Sequence, residues 1–199
     1  MVQMTVRADS KVAVQILFEG AQEVLGTEGL QELKEQSSSG TGADLQPLHE
    51  AAAFLDSLEE NFGRPGGQGL SLRIGRAAFR YGLKHLGAQA GFQTMEFRLL
   101  PPSRRLETGL NVLARLLHEA FGDRIAVTDD GSHWLWHAEG GVLCRGDSAG
   151  PNSCYLMTGI LQEFMTWAGG GRVYRVVEAE CRASGSRACI FRIEKKPLD

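Results

Sequence analysis

No apolar run in this 199-residue chain approaches the roughly 18–20 residues needed to span a bilayer, so no membrane-spanning helix is expected. Neither sign of charge forms a long block: 21 Lys+Arg stand against 24 Asp+Glu, for a formal net charge of −3. A phosphate-binding surface is not written into that balance, and nucleic acid is not an expected partner. The opening MVQMTVRADSKV lacks the basic-then-apolar layout of a secretory signal, which makes the cytoplasm the expected location. A dinucleotide fingerprint is also missing, because the glycine-rich stretch GRPGGQG at 63–69 lies between helical patterns and follows no strand. No Ser-His-Asp order, helical H-E-x-x-H or carboxylate pair stands out. Direct catalysis has little support, and a role other than enzyme is expected.

What remains is an ordinary folded composition, 43% hydrophobic and 23% charged, which argues against disorder and against a fibre. The length suits one domain with an appended subdomain. Val12, Val14, Ile16, Leu17, Val24 and Leu25, followed by Leu30 and Leu33, have helical spacing. Ser37 to Gly42 breaks that pattern as a loop. Pro47 suits the start of a second helix with Leu48, Ala51, Ala52, Leu55 and Leu58 on one side, and GRPGGQG is expected to end it. A third helix is expected over Leu70 to about Leu86, where Gly75 and Gly82 each cost about 1 kcal/mol in propensity and point to close packing. Leu106, Leu110, Leu113, Leu116 and Leu117 mark a further helix between Pro101-Pro102 and Gly122. The period then changes. Arg124–Thr128, His133–Ala138 and Val142–Arg145, separated by Asp-Asp-Gly and Glu-Gly-Gly, read as an antiparallel meander. A helix from about Cys154 to Trp167 interrupts it, and strands at Arg172–Glu180 and Ala188–Glu194 finish the chain. The class is α+β, with helices packed on one antiparallel sheet.

Four cysteines, Cys144, Cys154, Cys181 and Cys189, in a reducing location are more often thiols or metal ligands than a disulfide framework. With Gly185 at the tip, a symmetric hairpin sets Cys181 directly opposite Cys189. Opposed β-carbons lie about 4.5–5.5 Å apart, within reach of one tetrahedral zinc holding each thiolate at about 2.3 Å. Cys154, at the head of the preceding helix, can join them. The same register sets Glu178 opposite Arg192, where a cross-strand ion pair accounts for both. Glu178 and Cys181 are an odd number of residues apart and point to opposite faces of a regular strand. Shared ligation therefore needs a bulge or a strand end between them. On pattern alone, metal ligation, a disulfide and buried inert thiols all remain open for Cys181 and Cys189.

The stretch Tyr174–Ile193, containing Glu178, Cys181 and Cys189, resembles the C-terminal signature of the 4-vinyl-reductase domain family. Cys154-Tyr155-Leu156-Met157-Thr158-Gly159 and Ile74-Gly75-Arg76-Ala77-Ala78-Phe79 fit it too, so the resemblance runs from about Leu70 to the end. That family is similar to the sensor regions of phenol- and xylene-responsive activators. In fold it resembles the transport-particle subunits of vesicle tethering and the nitric-oxide-signalling ligand-binding fold. The resemblance implies a ligand-binding domain over 67–199, preceded by a helical segment, 1–66, that offers a dimer surface. In the phenol-sensing relatives a zinc ion is held by an upstream cysteine, a glutamate and two hairpin cysteines. The matching positions are Cys154, Glu178, Cys181 and Cys189, so zinc is the implied cofactor. A site filled by four protein ligands is structural rather than catalytic. Its net negative charge suggests Arg182 and Arg187 as neighbouring donors. Cys144 is left over, as a strand thiol or the alternative to Cys154.

His133-Trp134-Leu135-Trp136-His137 is the second notable segment. On a strand the two histidines share a face but lie about 13 Å apart and cannot grip one ion. A haem on either is less expected than a solvent-facing or hydrogen-bonded imidazole. Trp134 and Trp136 take the other face, where core packing is the simpler reading. In the sensor relatives, however, a histidine and a tryptophan line a closed apolar cavity and hold the phenol oxygen. The resemblance therefore implies His133, Trp134 and Trp136 as pocket residues, with Tyr155 on a second wall and an aromatic or tetrapyrrole-like ligand. The expected function is a zinc-stabilised, homodimeric binding module for a hydrophobic small molecule, acting as sensor, carrier or accessory protein. The alternatives are a 4-vinyl reductase or accessory subunit of (bacterio)chlorophyll synthesis, and a ligand-free assembly subunit.

Overall fold

A computed structural model describes residues 9–38, 47–140 and 154–198. Its elements are α1 (Ser10–Ser38), α2 (Pro47–Leu86), the single turn α3 (Met95–Arg98), α4 (Pro102–Phe121), β1 (Arg124–Asp129) and β2 (His133–Glu139). There follow α5 (Tyr155–Ala168), β3 (Tyr174–Glu180) and β4 (Cys189–Pro197). The expected strand at Val142–Arg145, Cys144 with it, and the loop positions 39–42 lie outside the described residues.

The strands form one antiparallel sheet in the order β1-β2-β4-β3. Each strand alternates. Trp134, Trp136 and Ala138 of β2, Tyr174, Val176 and Glu178 of β3, and Cys189, Phe191 and Ile193 of β4 are buried. The residues between them are more accessible. One face is thus core, and α4 and α5 pack against the sheet. This is the α+β class that the change of period implied.

Each of the two long helices is a pair of helices joined at one glycine. The GRPGGQG stretch does end the helix that starts at Pro47, as expected, but the break is a single residue, Gly63 (φ 65°, ψ 164°), after which a second helix runs to Leu86. Those dihedrals are open almost only to glycine. Pro65 falls in the first turn after the bend, where a missing N–H forfeits no hydrogen bond. Gly26 (φ 76°, ψ 170°) bends α1 in the same way. The expected boundary at 66/67 falls in the first turn of the helix that follows Gly63, and one buried cluster runs from Ala13 on α1 to Ile193 on β4. The apolar face of α1 is spent within the chain: Phe18 meets Phe54 edge-on at 5.3 Å, and Gly20 lies against the backbone of Ala78.

Helices α2 and α5 touch backbone to backbone. A Cβ on Gly75 would stand 2.1 Å from Leu156 O, and one on Gly159 would stand 2.1 Å from Leu72 O. The expectation of close packing holds at Gly75. It fails at Gly82, where a Cβ would find nothing nearer than Ile16 Cγ2 at 3.9 Å. Gly159→Ala must part the two backbones and is expected to destabilise the protein by about 1–3 kcal/mol in urea unfolding. A neutral result would refute the contact. Gly63→Ala, which meets no atom within 4 Å, is expected to cost a similar amount, about 1–3 kcal/mol, through its dihedrals alone.

Candidate metal centre

The site begins with an irregularity in β3. Val176 faces Ile193, Val177 faces Arg192 and Glu178 faces Phe191; the register then shifts so that Glu180 faces Ile190. The expected Glu178–Arg192 opposition is therefore incorrect, because the symmetric register holds only at the turn end of the hairpin. The shift does what shared ligation required. Ala179 and Glu180 are both exposed, so alternation is reset and Cys181 turns inward on the same side as Glu178. Cys181 is the last extended residue (φ −132°, ψ 138°), and its carbonyl accepts from Ser184 N–H at 3.0 Å as the chain enters a single 3-10 turn, Arg182–Ser184. Gly185 closes that turn at φ 91°, at the tip where the sequence placed it.

Cys154 comes from the opposite layer, immediately before α5. Its Sγ lies 3.4 Å from Cys189 Sγ, and Cys189 Sγ lies 4.0 Å from Cys181 Sγ. A disulfide would need about 2.05 Å. Tetrahedral zinc with bonds of about 2.3 Å sets sulfurs near ~3.8 Å apart, and the two separations fall on either side of that value. Glu178 completes the set: donor atoms of all four residues lie within 4.8 Å of one another. Its Oε2 accepts from Cys154 N–H at 3.2 Å, and its Oε1 is buried within the thiol cluster. Arg182 reaches the cluster through its backbone, donating its N–H to Cys189 Sγ at 3.4 Å, while Arg187 is exposed. Three thiols and a carboxylate, nearly closed to solvent, suit a four-coordinate thiophilic cation.

The residues expected to line a ligand pocket do not converge. His133 and His137 share the open face of the sheet, where His133 Nδ1 lies 3.3 Å from Asp130 Oδ2 and His137 Nε2 lies 2.9 Å from Thr128 Oγ1. Trp134 and Trp136 are buried on the other face, and Trp136 Nε1 has no partner among the described residues. Tyr155 is half-buried at the start of α5, beside Cys154. None of His133, Trp134, Trp136 and Tyr155 borders the apolar cavity of about 80 Å³ that lies between α1, α2, α4 and α5. That cavity went unread in the sequence. Its one local signal was Gly82, which lies on its wall.

No family model and no curated protein matches this sequence. Solved structures do. An H-NOX protein from S. oneidensis in the Fe(II)NO ligation state aligns over 92% of this chain and 98% of that one, with 13% identity and a TM-score of 0.61. An Fe(II) unliganded H-NOX protein from K. algicida aligns over 93% and 97%, with 10% identity and a TM-score of 0.61. The fold is that of an H-NOX domain. The phenol-responsive sensory domain of the transcription activator PoxR, solved with phenol, covers 72% of this chain and 71% of its own, with 19% identity and a TM-score of 0.51. The likeness to sensor domains is therefore present at the level of fold, and the 4-vinyl-reductase family itself is not shown.

On this H-NOX-like frame the quartet joins the start of α5 to the mouth of the β3–β4 hairpin. Burial pushes the Glu178 carboxyl above its ordinary pKa, against hydrogen bonds from Cys154 and Cys181 that pull it down. A carboxyl with a higher pKa folded than unfolded binds more protons in the folded state, so its contribution to metal-free stability falls as pH rises. Metal binding needs the same group ionised and reverses that slope. In thermal melts between about pH 4 and pH 8, metal-free Glu178→Gln is expected to gain on the metal-free parent as pH rises. With zinc present the parent should lead instead. A pH-independent difference between the two proteins would remove Glu178 from the cluster's electrostatics.

Proposed function

We propose that the protein is a small-molecule sensor module whose hairpin is fastened to α5 by one structural zinc ion. The observation that carries this reading is the convergence of Cys154, Glu178, Cys181 and Cys189 from two layers of the fold within 4.8 Å. Bound there, zinc has all four positions filled by protein and serves to tie elements together rather than to activate water or substrate. The chain's own residues do the rest. The 3-10 turn aims Cys181 inward, the bulge brings Glu178 to the same side, and the Arg182 N–H stabilises thiolate charge on Cys189.

The sensing part of the reading is supported by the neighbours in fold, which include a phenol-responsive sensory domain and H-NOX proteins described by their Fe(II) ligation states. An iron group does not fit the cavity of this chain. All five histidines are described, and none borders it. His85 is held by Glu19 and His118 by the Asp123 carbonyl, His133 and His137 have the partners given above, and His49 is exposed. A ligand here is held by shape and apolar contact.

Native mass spectrometry of freshly purified protein tests the metal directly, with one zinc per chain as the expected result. Cys181→Ser and Cys189→Ser are each expected to lose that metal and about 3 kcal/mol or more of stability, a Tm lower by roughly 6–12 °C at this chain length. Metal-free parent protein that melts like both variants would end the zinc reading.

A further inference from the structure

We propose that the cavity between α1, α2, α4 and α5 is the ligand site, and that it takes compact uncharged molecules without hydrogen-bonding groups, the class of short hydrocarbons. This rests on the reading of the protein as a small-molecule module and specifies where the molecule goes and what it is.

The first observation is chemical. Every described residue bordering the cavity is apolar, with Ile16, Leu83, Leu116 and Ile160 contributed by the four helices in turn. Among the described residues no lining side chain offers a donor or acceptor, so a hydroxyl held against these walls would leave water without recovering a hydrogen bond. Phenols are disfavoured by that lining, in contrast to the phenol-bound sensory domain that shares the fold. Size narrows the class further. A void of about 150 Å³ admits benzene, so one near 80 Å³ suits about three or four carbon atoms without rearrangement.

The second observation is that a glycine stands on the wall with no local need for one. Gly82 lies inside α2, where glycine is among the weakest helix formers. It is not among the residues with positive φ. A Cβ there would make only an ordinary contact, at 3.9 Å from Ile16 Cγ2. Gly75, seven residues earlier in the same helix, is required by Leu156 O. A Cβ at position 82 points toward Ile16 on the cavity wall, so a larger side chain there has the cavity as adjoining space. Unfilled apolar space forfeits dispersion contacts, and proteins are otherwise packed to leave little of it. Space kept open at two such costs is space that a ligand can use.

Methyl NMR of the full chain under xenon pressure, and in titrations with butadiene and phenol, tests the proposal. Saturable shifts centred on the methyls of Ile16, Leu83, Leu116 and Ile160 are expected, with phenol at least tenfold weaker than butadiene. Gly82→Leu is expected to abolish the butadiene shifts, and Gly82→Ala to keep the fold. Ala120→Leu fills the opposite wall and carries the test if Gly82→Leu does not fold. Butadiene binding that survives in folded Gly82→Leu or Ala120→Leu overturns the site, and phenol binding tighter than butadiene overturns the ligand class. Saturable binding of phenol elsewhere in the chain also defeats this inference, but leaves the sensor reading standing. A zinc-loaded protein that binds none of the three probes, nor larger aromatics, defeats both.

Discussion

Gly75 and Gly159 face each other across the α2–α5 crossing with no side chain on either, so each helix sets a carbonyl against the other's bare Cα. That contact fixes α5 both in depth and along its axis, because Leu72 O and Leu156 O each admit the opposite backbone at one position only. Cys154 precedes Gly159 by five residues, a little over one helical turn. Its sulfur is thereby delivered to the hairpin mouth, 3.4 Å from Cys189. A side chain at either glycine would lift the helix and separate the donors drawn from the two layers.

The hairpin half of the cluster was legible because its rules are local. A glycine tip, two cysteines placed symmetrically about it and the period of a strand suffice to bring Cys181 and Cys189 together. The condition on Glu178 was legible only as a requirement, since alternation says that something must reset between 178 and 181 without saying where. The reset is the register shift between Glu178 and Glu180, and it is why Arg192 lies across from Val177 instead of the carboxylate. The α+β order was readable from the change in hydrophobic period. The break in α2 was readable as the Gly-Pro cluster that starts at Gly63, but the one in α1 was not, because a lone glycine such as Gly26 inside a helical pattern is ordinarily tolerated.

The ligand space was the least legible part, and the reason is geometric. Residues on a strand declare their face by parity, so the opposition of His133 and His137 to Trp134 and Trp136 was read from the sequence and is present in the fold. A cavity among four helices declares nothing locally. Its walls at Ile16, Leu83, Leu116 and Ile160 look like any other apolar position until the crossings are known. The resemblance to phenol sensors drew the expectation toward the tryptophans, which here fill the space between sheet and helices, while the opening lies one layer away. Gly82 was read as a packing glycine on the same grounds as Gly75, and only the distance to the nearest atom separates the two cases.

Shared fold does not carry shared chemistry, since function resides in the side chains placed on the frame. H-NOX-like topology here leaves a cavity whose described walls are carbon, borders it with no imidazole, and gathers three thiols and a carboxylate at the hairpin instead. The two features meet in α5. Within two turns that helix supplies Cys154 to the cluster, Leu156 and Ile160 to the cavity wall, and Gly159 to the contact with α2. A restraint on Cys154 is therefore a restraint on the wall, because a helix of this length is stiff over two turns and its backbone is pinned at Gly159.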